Sequence, residues 1–67
     1  MSLFRDELAP MLKGSTKEFE HNYMLIRVVF DYSGRFAIDV CDLETKEIIT
    51  HTSTPSLKEA VAFLERL

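Results

Sequence analysis

Two histidines, one cysteine and a short acidic run hold most of the chemical range of this sequence. A zinc site needs three or four convergent ligands. His21, His51, Cys41 and a carboxylate could supply the types, but no metal-like spacing joins them. Cys41 sits between Val40 and Asp42, and a nucleophilic cysteine needs a basic or positive neighbour. It reads as a small apolar filler. Asp39, Asp42 and Glu44 could run acid–base chemistry only in a cleft that separates their pKa values. Turn capping and solubility account for them better. Thr52, Ser53, Thr54 and Ser56 gather before a helix, where a phosphate could dock. No glycine lets the backbone wrap one there, and Pro55 removes a donor. Gly14 and Gly34 are isolated, so no glycine-rich loop exists. No catalytic, cofactor-binding or metal-binding residue is therefore assigned, and the expectation is a protein that is not an enzyme.

The elements that must carry these residues fit in 67 positions, enough for a single domain spanning 1–67. A chain of this size buries only about 60% of its unfolded surface, so its core is thin. One cysteine excludes an intrachain disulfide. Small domains without a staple often complete themselves with a partner. With 46% hydrophobic residues, five Phe and two Tyr, disorder is not expected. The net charge is -3, with eight basic residues spread among eleven acidic ones. Affinity for nucleic acid comes mainly from Lys and Arg on phosphates, so this balance argues against it. The most apolar stretch, 24–30, is too short to cross a membrane and contains Arg27. Arg5, Asp6 and Glu7 interrupt any export pattern, and the lone cysteine fits a reducing cytoplasm.

Ser2 can cap a short helix whose apolar stripe is Leu3, Phe4, Leu8, Met11 and Leu12. Pro10 should kink it, or stop it near Ala9 before a restart, with Gly14 as the final stop. Residues 15–22, the most polar stretch, read as a connection that runs into the first strand. Between Phe19 and Asp31 the period is two. Met24, Ile26, Val28 and Phe30 share one face. Tyr23, Leu25, Arg27 and Val29 share the other.

Gly34 closes a three-residue turn after Asp31. Phe30 then faces Phe36, Val28 faces Ile38 and Ile26 faces Val40, while Val29 meets Ala37, Arg27 meets Asp39 and Leu25 meets Cys41. A slip by one residue would invert both faces. The next turn, Asp42 to Glu47, allows two registers: Cys41 opposite Ile48 and Val40 opposite Ile49, or Val40 opposite Ile48. Residues 47–52 make a third strand. A capping box from Ser56 to Glu59, or a Thr54 cap before Pro55, opens a last helix with Leu57, Ala60, Val61, Leu64 and Leu67 on one side.

The fold class is α+β: a two-layer α-β-β-β-α chain, a three-stranded antiparallel meander with its N-terminal and C-terminal helices on one face. The expected core sets Met24, Ile26, Val28, Phe30, Phe36, Ile38 and Val40 against Leu57, Val61, Leu64, Phe4 and Leu8. The opposite sheet face is left uncovered. It is expected to carry Phe19, Tyr23, Leu25, Arg27, Val29, Ala37, Asp39 and Cys41, joined by Ile48 or Ile49. Such faces are normally polar, and a contiguous apolar patch marks an interaction site.

The leading expectation is thus a protein-interaction module that forms a homodimer through this face. The element order resembles that of double-stranded RNA binding domains over the whole chain. Those domains place a basic cluster at the start of the last helix. Here Ser56, Leu57, Lys58 and Glu59 stand there, one lysine beside a glutamate. A third possibility is a small acidic inhibitor or adaptor, presenting Asp39, Asp42, Glu44, Glu47, Glu18 and Glu20 to a basic groove.

Overall fold

Residues 3–67 are described by the structure, a computed structural model. The polar stretch that reads as a connection is itself a strand. β1 (Ser15–His21), β2 (Met24–Phe30), β3 (Phe36–Asp42) and β4 (Ile48–Thr54) form one antiparallel sheet in chain order. α1 (Leu3–Leu8) precedes it and α2 (Leu57–Glu65) follows it. The α+β class holds, with four strands in place of three. The order α-β-β-β-β-α departs from the three-stranded order on which the likeness to double-stranded RNA binding domains rests.

The extra strand is created at Asn22 and Tyr23. Both have positive φ, 50° and 62°, and they reverse the chain in two residues so that His21 opposes Met24. That is the twist a two-residue hairpin needs. Ser2, read as the cap of α1, lies outside the described residues. α1 ends at Leu8 and does not restart after Pro10. The Leu8 carbonyl accepts from the Met11 N–H, and Met11 is buried without being helical. Gly14 does not cap α1. At φ +87° it turns the chain into β1, donating its N–H to the Phe30 carbonyl beneath the Tyr32 ring. The Lys17 ammonium ties β1 to the end of α1, bonding both the carbonyl and the carboxylate of Glu7.

The β2–β3 register is the expected one at every pair from Phe30–Phe36 to Leu25–Cys41. Asp31 holds its turn by accepting from the N–H groups of Ser33 and Arg35. The β3–β4 hairpin follows neither expected register throughout and keeps only the Cys41–Ile48 pair of the first. Cys41 opposes Ile48, then a bulge at Ile49 sets Val40 opposite Thr50. Ser56 caps α2 by accepting from the Glu59 N–H at 3.2 Å. The other half of the expected box goes elsewhere: the Glu59 carboxylate accepts from the Thr54 hydroxyl at 2.8 Å, and that hydroxyl accepts from the Ser56 N–H.

Both helices lie on the face built by Ile26, Val28, Phe36, Ile38 and Val40, which pack with Leu8, Met11, Ala60 and Leu64. Met24, Phe30, Phe4 and Leu57, expected in the core, are half-buried at its margin with Phe19, Phe63 and Leu67. Phe30 stacks on Phe36 with centroids 4.4 Å apart. Among the described residues, no buried side-chain polar atom lacks a hydrogen bond, and no helix is long and apolar enough to cross a membrane.

Candidate open-face interface

The registers of the four strands place opposed residues in transverse rows, and side chains directly across from one another share a face. Three rows point away from the helices. The middle row runs Glu18, Arg27, Asp39, His51. On one side of it lie Glu20, Leu25, Cys41 and Ile48, and on the other Thr16, Val29, Ala37 and Ser53.

Six of the eight residues expected on this face are there: Leu25, Arg27, Val29, Ala37, Asp39 and Cys41. Two are not. Phe19 opposes Ile26, so it points to the helix side, where its ring lies 5.9 Å from that of Phe4. The added turn shifts the alternation of β1 against β2 and carries Phe19 over. Tyr23 leaves the strand for the turn, 90% exposed. Ile48 joins the face, while Ile49 is the bulge residue.

The middle row has a defined polar structure. Arg27 does not pair with Asp39, although the two are opposed. It reaches the other way, to Glu18, with Nε 3.1 Å and Nη2 3.0 Å from the same carboxylate oxygen. His51 Nδ1–H donates to Asp39, since a carboxylate can only accept. Two bonded pairs thus lie end to end across the sheet, with charge order negative, positive, negative and, when His51 is protonated, positive. The sequence offers Glu18 for an acidic rim and His51 as a conceivable metal ligand, but places neither on this face. Glu18 belongs to the strand hidden in a polar stretch, and His51 is placed by the undecided register. The alternation of β1, with Thr16, Glu18 and Glu20 on one side, is the signal that could have shown it.

The apolar part of the face is accordingly two patches separated by a charged row. Beside that row lies a depression of about 350 Å³ lined by Leu25, Arg27, Asp39, Cys41, Lys46 and Ile48. Neither histidine lines it, so the thiol has no imidazole base there. A second cleft of about 550 Å³ opens between α1, the end of β1 and α2, lined by Phe4, Phe19 and His21 with Glu7, Glu20 and Glu65 around it. His21 is held edge-on against Phe4 at 4.9 Å. No group of three or more His, Cys, Asp or Glu is placed to hold a metal among the described residues.

The acidic run separates as well. Asp39 is on the open face, and Asp42 accepts from the N–H groups of Glu44 and Thr45 in the turn. Those bonds, Thr45 first, hold the Asp42 carboxyl below its ordinary value. The Ser33 hydroxyl and then the Arg35 N–H do the same for Asp31. Four of the eight basic side chains that a phosphate-tracking surface would gather are engaged within the chain. Lys17 bonds Glu7, Arg27 bonds Glu18, Arg35 bonds Ser53, and Lys46 donates to the Leu43 carbonyl.

No protein-family model, curated protein or solved structure matches this chain.

Proposed function

We propose that this chain is a non-enzymatic, cytoplasmic protein-interaction module that associates with a second copy of itself through the open face of its sheet. One observation carries the reading: both helices cover the same side, and the other side presents Leu25, Val29, Ala37 and Cys41, half-buried, and Ile48, exposed, with no helix over them. Water against such a face is unfavourable by about 25 cal/mol per Å² of apolar area. Nucleic-acid binding has less support, because the net charge is -3 and two of the basic side chains, Lys17 and Arg27, are already paired with carboxylates.

The size of the face sets the strength. Four strands of seven residues measure roughly 19 by 23 Å, or about 440 Å² in projection. Two copies then bury about 900 Å² or somewhat more, below the roughly 1,200–2,000 Å² of stable complexes. The association is therefore reversible and concentration-dependent.

Light scattering across a concentration series tests this directly. The expected molar mass rises from the 7.8 kDa monomer toward twice that value. Leu25→Lys and Val29→Lys should hold the mass at the monomer with the circular dichroism unchanged. A wild-type chain that stays monomeric at millimolar concentration, or variants that associate as well as wild type, would overturn the reading.

A further inference from the structure

The open face is complementary to itself in charge and in shape, about the same axis. Numbering outward from the gap between β2 and β3, the middle row reads Arg27 then Glu18 on one side and Asp39 then His51 on the other. Charges at equal distances from that gap are opposite in sign once His51 is protonated. Side-chain size follows the same division. β2 contributes the large residues Leu25, Arg27 and Val29 to this face, and β3 contributes the small ones, Cys41, Asp39 and Ala37. The longer side chains of β2 thus stand beside the shorter ones of β3, and Leu25 and Cys41 both line the depression there.

We propose that two copies pack face to face about a two-fold axis running parallel to the strands between β2 and β3. This rests on the self-association proposed above and specifies its geometry. Such a rotation lays β2 of each copy over β3 of the other. Arg27 then meets the second copy's Asp39, Leu25 fills the space over its Cys41, and Val29 sits over its Ala37. Glu18 falls over His51. At the outer corner Glu20 comes to Ile48, where Lys46 also stands.

The competing arrangements fail on the same residues. A two-fold running across the strands puts Arg27 on Arg27 and Asp39 on Asp39. An orthogonal crossing lays the charged row along the apolar residues of β2 and β3. Aligned sheet packing with strands within about 30° of each other is compatible with the proposed axis.

The test uses charge reversal in the full chain. Arg27→Glu sets a glutamate over Asp39 in its own dimer, and Asp39→Lys sets a lysine over Arg27. Each variant alone should lose self-association at least tenfold. Mixed in equal amounts, they should form a heterodimer within a few-fold of the wild-type midpoint, because both contacts are then opposite in sign. A mixture that stays monomeric while wild type associates would overturn the axis and leave the open face standing. A monomeric wild type would overturn both.

A second measurement does not depend on the folding of those variants. A spin label is placed at Glu44→Cys in a Cys41→Ser chain, in the β3–β4 turn. The proposed axis brings the two labels to the same end of the dimer, with backbones about 14 Å apart. The cross-strand axis sends them to opposite ends, about 25 Å or more apart. A dipolar distance in the longer range would overturn the proposal.

Discussion

Tyr23 holds the left-handed conformation, φ 62°, with its ring 90% exposed. The substitution Tyr23→Gly should therefore raise stability, against the usual direction of a change to glycine. An L-residue in that region is strained by about 1–2 kcal/mol relative to the right-handed one. Glycine removes the strain but brings back roughly 0.5–1 kcal/mol of chain entropy in the unfolded state. The contact made by the backbone survives, because the Leu43 N–H bonds the Tyr23 carbonyl rather than its ring. The net gain is about 0.5–1 kcal/mol. A domain of this size shifts by about 4–8 °C per kcal/mol, so the thermal midpoint should rise by about 2–8 °C. The assay is far-ultraviolet circular dichroism on heating, at a dilution where the chain is monomeric. The partner change, Asn22→Ala, should lower the midpoint, since alanine lacks the tolerance of asparagine for φ 50°. A fall on Tyr23→Gly would instead mean that the ring supplies contacts worth more than the backbone strain.

Two further predictions concern polar groups that organise the chain. Thr54→Val keeps the shape of a buried residue but removes the hydroxyl that accepts from Ser56 and donates to Glu59; it should destabilise by about 1–2 kcal/mol in denaturant unfolding. Asp31 and Asp42 have folded pKa values below the ordinary 3.8. The unfolded state thus takes up protons first. Their contribution is full above the ordinary value and drains away as pH falls through the lowered ones. Asp31→Asn with Asp42→Asn should flatten the acid limb of a plot of midpoint against pH, and an unchanged limb would show that these caps do not set it.

What the sequence makes legible is what period and turn chemistry determine together. The β2–β3 hairpin follows from Gly34 and from two faces that only one register keeps apart. α2 follows from its stripe and from Ser56. β1 escapes because its apolar content is a single Phe19 among polar residues, and because an Asn-Tyr turn carries no glycine to announce φ > 0 at its second position. Its absence misplaces Phe19 and Tyr23 and hides Glu18. The length of α1 turns on a competition that pattern cannot decide. The apolar stripe runs on to Leu12, but Pro10 removes the backbone donor that would continue the helix. Met11 keeps its burial without helical geometry, and Leu12 is left 77% exposed.

The same four-stranded arrangement bears on how assembly would end. A sheet has two ways to recruit another copy, along an edge or across a face. Edge pairing leaves a fresh edge each time and propagates. β1 discourages it with Lys17, Glu18 and Glu20 along its length, and β4 with the bulge at Ile49. Bulges and charges of this kind blunt an edge as a template. The strand richest in hydrogen-bonding apolar residues, β2, is shielded on both sides by β1 and β3. Only the face remains available. A face-to-face contact about a two-fold uses each copy's patch once and closes. In the proposed association, polar edges around an apolar interior strand therefore favour a dimer over a fibre. Removing the bulge by deleting Ile49 should turn a concentration series that levels off at two copies into one that continues to grow.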